Sequence, residues 1–439
     1  MIVFQTLLIG LAFGLQPVRF MVGPQVKSVE VRLDDVTVGV LAGDPWTVQC
    51  DLGGAPHPHE LIAIARDGSG KEIGRARQWV NMPRSAAEAT LLLERGPQPG
   101  KVVAAHLAWN ELKGTEPKTV RVTLDGRAVA VKDPKRFEIP TCDPKEAHVL
   151  SAELVFAEGR TARVDAVFGG DLAEEAQSQL TAVPLVLEPG TNLPALPEMQ
   201  AWFREGDAPL RVLGVEQAPF DVVLILDQGV WPLLASERGE TAGAREIGWK
   251  ELRPALLTCD TAGRNDNRLF IGIAVPQFLF GTDGSTRAIF PTYEPVGFVA
   301  SRFRARLANL NLKLAVLGTQ MLADAAATAG GVAAANNRAR AVVLLLAGSR
   351  EDASAIAANS ARSYLEDMHV PLLVWSLLKG GETRGWGPAE DVCSDDLMDL
   401  AAKHLKERLS AQRIVWLEGA HLPQRIRLAE GVKGVHLAP

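Results

Sequence analysis

Residues 220–227 read FDVVLILD, an apolar run that closes on an aspartate. A near-continuous apolar run of this length is the mark of a strand covered on both faces. AVVLLLAG (341–348) repeats the pattern, and RLFIGIAV (268–275), VPLLVWSL (370–377) and RIVWLEG (413–419) extend the set. Helical stretches lie between them. VASRFRARLANLNLKLAVLG (299–318) places Phe303, Leu307, Leu310 and Leu314 on one stripe, and 352–368 does the same with Ile356, Ala357, Ala361 and Leu365. SDDLMDLAAKHLKERLS (394–410) opens on a serine cap and an acidic turn and ends basic, as the helix dipole favours. FLFGTDGSTRAIF (278–290) reads as an inserted edge hairpin turning at Thr282-Asp283-Gly284. AGG (329–331) reads as a helix terminator ahead of a strand. The sum predicts a doubly wound, Rossmann-like α/β domain over 217–428.

The first half is patterned differently. VEVRLDDVTVGV (29–40) and VRVTLDGRAVAV (120–131) share V-x-V-x-L-D, a turn and V-x-V, 91 residues apart. Each is the signature of a β-hairpin. Cys50-Asp51 is echoed by Cys142-Asp143, and His59 by His148. Two related antiparallel β-sandwich modules are expected, over 23–84 and 85–185, the second Ig-like. The proline-rich 186–216 reads as a connector and 429–439 as a tail. HPHE (57–60) invites a metal reading, but the equivalence of His59 and His148 points to a strand-start role.

Net charge of −6 with no basic stripe excludes a nucleic-acid footprint. Residues 1–22 open with fifteen uncharged residues, too few to span a bilayer comfortably. They read as a signal for export to the periplasm, medium or cell surface, or as a buried first strand. Cys50, Cys142, Cys259 and Cys393 have no metal spacing; three disulfide pairings are open to them, and buried free thiols are the preferred reading.

VVLILD, the hairpin that follows, LGTQMLADAAATA and VVLLLAGSREDAS together resemble the von Willebrand factor A (VWA) domain, in the acidobacterial type where β modules precede it. The resemblance implies a metal-ion-dependent adhesion site holding Mg²⁺ or Mn²⁺ above the sheet. Its aspartate would be Asp227, its threonine Thr319 and its last aspartate Asp352, or Glu351 in its place. Gly229 and Trp231 stand where that site has two serines. Neither can ligate a cation, since glycine has no side-chain oxygen and an indole N–H only donates. The site therefore reads as degenerate, with no cofactor expected, and with Asp227 instead capping the next helix or accepting backbone N–H groups in its own loop. LILDQG also resembles phosphatase loops of the D-x-D kind, but Gly229 occupies the second aspartate's place.

No nucleophile elbow, P-loop or H-E-x-x-H helix occurs, and His369, His404 and His421 are scattered. The expectation is a non-catalytic scaffold that binds a protein partner through the loops carrying Asp227, Gly229, Trp231, Thr319, Ser349, Glu351, Asp352 and Trp386. The alternatives are cation-dependent adhesion, or an α/β hydrolase or phosphatase using Asp227.

Overall fold

The structure is a computed structural model. It describes all residues except 1, 9, 84–86, 97–100, 112–115, 157–160, 171, 178–179, 231–266, 281–285, 291–294, 310–317, 349–351, 381–382 and 384. Trp231, Ser349, Glu351, Cys259 and the 282–284 turn therefore lie outside the described residues.

Antiparallel strands dominate the first half. Strands β1 (Ile2–Phe4), β2 (Leu15–Val22), β3 (Ser28–Leu33), β4 (Val36–Leu41), β5 (Thr47–Asp51), β6 (His59–Arg66) and β7 (Glu72–Val80) form module 1. Its two sheets, β1-β2-β5 and β4-β3-β6-β7, enclose a core that includes Ile2, Phe4, Val18, Phe20, Val31, Cys50 and Leu61. The apolar start of the chain thus contributes β1 and β2 to this sandwich, burying Ile2, Phe4, Val18 and Phe20 on their inner faces. Module 2 comprises β8 (Ala87–Arg95), β9 (Val102–Glu111), β10 (Thr119–Leu124), β11 (Arg127–Val129), β12 (Phe137–Glu138), β13 (Ala147–Val155), β14 (Thr161–Gly169) and β15 (Leu172–Gln177). It is again two sheets, β11-β10-β13-β14-β15 and β12-β9-β8.

The repeated sequence has a repeated physical job. In module 1 the turn residue Asp34 accepts from the Glu60 N–H at 2.9 Å and holds His59 Nδ1 at 2.6 Å. In module 2 Asp125 does the same to the Val149 N–H and His148 Nδ1, both at 2.8 Å. Each aspartate sits at positive φ in its hairpin turn, a backbone that Asp tolerates better than most residues. The pair pins the hairpin to the strand that enters beside it, which is why the D-D or D-G turn and the histidine recur together.

The chain then departs from the expected connector. Residues β16 (Leu180–Leu187), α1 (Leu196–Met199), β17 (Phe203–Glu205), β18 (Ala208–Leu210) and β19 (Val212–Glu216) are ordered elements. Their sheet partners come from the far end of the chain: β28 (Gln412–Glu418), β29 (Ile426–Leu428) and β30 (Val435–Leu437), labelled after the strands that intervene. The sheets β19-β28-β16-β30 and β18-β17-β29 make a third sandwich around Val183, Phe203, Val212, Val415 and Ile426. The 186–216 connector and the 429–439 tail are therefore parts of one module, and RIVWLEG is one of its strands. Proline does not forbid this, because Pro209 lies on the edge strand β18 and Pro184 lies one residue outside the β16–β30 register, where its carbonyl accepts the Ala438 N–H.

Between β19 and β28 the α/β unit is inserted. It contains β20 (Phe220–Leu226), β21 (Arg268–Ile273), β22 (Gln277–Phe280), β23 (Thr286–Ile289), β24 (Val296–Gly297), α2 (Phe303–Asn309), α3 (Leu322–Ala334), β25 (Ala339–Leu346), α4 (Ala358–Asp367), β26 (Leu372–Ser376), β27 (Glu390–Asp391) and α5 (Asp395–Ser410). Its six-stranded sheet runs β24-β21-β20-β25-β26-β27, parallel except for β24. Among the described residues the β22–β23 hairpin pairs only with itself, so the antiparallel edge of the six-stranded sheet is β24 and not that hairpin. Alternate strand residues face opposite layers: Val223, Ile225, Val342 and Leu344 pack under α3 and α4, while Val222, Leu224, Val343 and Trp375 pack with α2 and α5. Ser394 caps α5 by accepting from the Leu397 N–H.

AGG does not end a helix. Gly330 and Gly331 lie inside α3, and a Cβ on Gly330 would stand 2.4 Å from Leu365 Cδ2. The glycine is there so that α3 and α4 can approach closely.

Candidate functional site

In the six-stranded sheet the chain goes from β20 outward to β21 and then returns to the other side of β20 as β25. Strand order reverses between β20 and β25, and the crevice past their carboxyl ends is where open α/β sheets hold ligands. Asp227 follows β20 and Ala347-Gly348 follows β25, so the aspartate ending the diagnostic apolar run stands in that crevice. A cleft of about 420 Å³ opens there. Asp227, Leu346, Gly348, Asp352, Ser354, Ala355, Thr383 and Trp386 are among its lining residues. Four loops predicted from the sequence to share a face thus meet, and Asp227, Asp352 and Trp386 line one space.

Asp227 is 4% exposed. Its Oδ1 accepts the Gly229 N–H at 2.9 Å and its Oδ2 the Ala347 N–H at 3.1 Å. The carboxylate thus closes its own Asx turn and ties the β20 loop to the β25 loop. Gly229 fits this turn because a Cβ there would come within 3.0 Å of the Ala347 carbonyl oxygen.

Asp352 serves the amino end of α3 from another loop. Its Oδ1 accepts the Leu322 N–H at 2.8 Å, the Ser354 N–H at 3.1 Å and the Ser354 hydroxyl at 2.6 Å. Ser354 Oγ in turn accepts the N–H groups of Ala323 and Asp324, at 2.8 and 3.2 Å. Asp324 reciprocates, accepting from the N–H groups of Ala355 and Ile356 at 3.0 and 3.2 Å. This is a capping box built between two segments, and it satisfies amides that a helix start leaves orphaned. Burial pushes the Asp324 carboxyl up, helped by the neighbouring Asp352 charge and opposed by the two backbone N–H bonds.

Thr319 is exposed, beside Gly318, whose carbonyl accepts from the Gln228 amide; it does not line the cleft. Trp386 is 4% exposed and packs with the α3–α4 layer. It is thus a buried wall of the cleft, covered by the edge of that layer. Gln320 was missed, although its side chain accepts the Gln228 N–H at 2.8 Å and lines the cleft. No sequence signal marks such a role for a lone glutamine.

The donor set does not suit the adhesion-site cation. Both Asp227 oxygens accept backbone N–H groups, Asp352 Oδ1 is a helix cap, and Gly229 offers no oxygen, whereas Mg²⁺ wants an octahedron of oxygens. Among the described residues no group of three or more His, Cys, Asp or Glu side chains is placed to hold a metal. Cys50 is a buried free thiol, while Cys142 and Cys393 are free and half-buried. No described helix is long and apolar enough to cross a membrane.

No family model and no curated protein matches the chain. Among solved structures, the fibronectin(III)-like modules of Clostridium thermocellum CbhA are 14% identical, covering 38% of this chain and 92% of theirs at a TM-score of 0.16. The central fibronectin-III array of RIM-binding protein is 12% identical, covering 42% and 73% at 0.19. A β-glucuronidase of glycoside hydrolase family 2 is 12% identical, covering 49% of this chain and 28% of its own at 0.19. Likenesses at such TM-scores carry no argument about this chain; its β-module character rests on its own strand pairing.

Proposed function

We propose that this protein is a non-catalytic interaction scaffold, whose VWA-like α/β unit binds a protein partner at the cleft between β20 and β25. One observation carries the reading. The cleft is formed at the ligand-binding edge of the sheet, yet its carboxylates are engaged by backbone amides, a geometry that holds a shape and does not activate a nucleophile. Three β-sandwich modules around the α/β unit suit a scaffold that presents this edge.

The test places a photo-crosslinking amino acid at Ala355, an exposed lining residue, and at Leu92, exposed on module 2, as control. A discrete crosslinked partner obtained from position 355, absent from position 92 and abolished by Ala357→Arg at the cleft mouth supports the proposal. Identical products from both positions, or none from 355, would refute it. Calorimetric titration with Mg²⁺ or Mn²⁺ checks the adhesion alternative, and the committed donors predict no saturable heat at millimolar metal.

A further inference from the structure

The amino end of α4 is finished differently from those of α3 and α5. Asp352, Ser354 and Asp324 close the start of α3, and Ser394 with Asp395 and Asp396 the start of α5. At α4 the capping position is Ala357, which offers no side-chain oxygen, and the first turn carries no acidic residue. Among the described residues the N–H groups of Ala358 and Asn359 meet no acceptor. The positive end of this helix dipole is thus uncompensated, and Ala357 and Ala358 both line the cleft.

Two buried side chains add donors to the same space. Gln320 is 3% exposed, and its Oε1 is fixed by the Gln228 N–H, which directs the Nε2 amino group away from that bond. Neither this amino group nor the indole N–H of the equally buried Trp386 meets an acceptor among the described residues. The indole nitrogens of Trp375 and Trp416 are sealed in the protein without partners, whereas Gln320 and Trp386 line the cleft. A buried donor with nothing to accept from it is costly, and here an acceptor can arrive from the cleft. Leu322, Leu346 and Ile356, all buried, supply an apolar wall beside these donors.

A helix amino end joined by two side-chain donors favours an oxygen anion, and the apolar wall asks for a hydrocarbon group on the same short fragment. An internal Asp or Glu brings the anion without the hydrocarbon. The last residue of a chain carries both on one Cα, together with an N–H. We propose that the cleft captures the free carboxyl terminus of a partner chain that ends in an apolar residue. The proposal rests on the reading of this cleft as a partner-binding site and names what the partner presents there. The terminal carboxylate, with about four acceptor sites, takes the amides of Ala358 and Asn359, the Gln320 amino group and the Trp386 indole N–H. The last side chain packs on the apolar wall. Asp227 is compensated by the Gly229 and Ala347 amides, and Asp352 Oδ1 by the start of α3. Asp352 Oδ2 accepts no bond among the described residues and takes the N–H of the last residue.

Fluorescein-labelled hexapeptides with each residue type at the last position, made as free acids and as C-terminal amides, test this on the full chain by fluorescence polarisation. Free acids ending in Leu, Ile, Val or Phe should bind, and amidation should weaken them about tenfold or more. Ala357→Asp supplies the missing cap from within the chain, so it should raise the melting temperature while weakening peptide binding by a similar factor. Gln320→Glu keeps an acceptor for the Gln228 N–H but replaces the donor with an anionic oxygen, and should abolish binding with helix content unchanged. The absence of peptide binding, equal affinity of acids and amides, equal binding of an amidated peptide with an internal glutamate, or unaltered affinity in Ala357→Asp overturns the proposal. A partner that crosslinks at position 355 alongside any of these results leaves the scaffold reading standing and removes only the terminal carboxylate from it.

Discussion

Arg338→Met tests how module 2 is fastened to the α/β unit. Arg338 is 2% exposed and reaches Glu153 of β13 at 3.1 Å and Asp221 of β20 at 3.3 Å. Arg268 bonds the same two carboxylates, to Asp221 at 2.6 Å, and Asn336 donates to Asp221 at 3.2 Å. Next to this quartet Arg163 pairs with Asp165 at 2.9 Å and with Glu216 of β19 at 2.6 Å, above the Trp416 ring. Burial alone would raise the Glu153 carboxyl; Arg338, then Arg268, outweigh it and bring it from 4.5 to about 2. That displacement corresponds to about 3 kcal/mol of stability above pH 4.5, shared among the arginines. Breaking a buried pair costs about 3–5 kcal/mol, but Arg268 remains to compensate, so a loss of about 2–4 kcal/mol is expected. The half-exposed pair Arg136–Glu94 provides the contrast, and Arg136→Met should cost no more than about 1 kcal/mol. Urea denaturation followed by tryptophan fluorescence measures both. Because the folded Glu153 value is depressed, its contribution is present above pH 4.5 and lost as pH falls toward about 2. In Arg338→Met the acid limb should begin at a higher pH. A cost for Arg338→Met no larger than that for Arg136→Met, or an unmoved acid limb, would refute the reasoning.

Three further outcomes are expected. Burial would lower the His148 value, but the Asp125 carboxylate and the Asp143 carbonyl raise it on balance, so its stabilisation is complete below about pH 6.5 and lost as pH rises through the higher folded value; His148→Gln should flatten melting temperature between about pH 6 and 9. Asp227→Asn must turn an amide N–H₂ toward one of two backbone N–H groups and should lose about 1–3 kcal/mol, whereas Asp352→Asn keeps its capping oxygen and should stay within about 1 kcal/mol by thermal melting. Gly330→Ala should destabilise by about 1–3 kcal/mol as α3 is forced off Leu365, while Gly331→Ala, whose Cβ would lie 4.0 Å from the Tyr364 hydroxyl, should gain about 0.5–1 kcal/mol from helix propensity; circular-dichroism melts separate the two signs.

What could be read in advance follows from where the determinants sit. The fully buried strands β20 and β25 announce themselves, because a strand covered on both faces has no polar alternation to hide it. The repeated hairpins were equally visible, since the Asp turn and its histidine are local and recur as letters. The third sandwich was not, because β16 and β19 find β28 some 200 residues away and each strand alone reads as a connector or as one more strand of the α/β sheet. Gly330 was misread for a related reason: its cause is Leu365 on the next helix, which no window around AGG contains. At the cleft, the convergence of Asp227, Asp352 and Trp386 followed from topology. The bonds that the two carboxylates accept come mostly from backbone amides, which carry no residue-type signal.

The α/β unit leaves module 3 from β19 and returns through β28, and those two strands are hydrogen-bonded neighbours. Tension that enters module 3 at β16 and leaves it at β30 is carried first by the ladder that joins those two strands directly. The host sandwich acts as a mechanical bypass. A pull along that path reaches the guest unit only through the side-chain contacts that fasten it to its neighbours, such as Arg338 with Glu153 and Asp367 with His57.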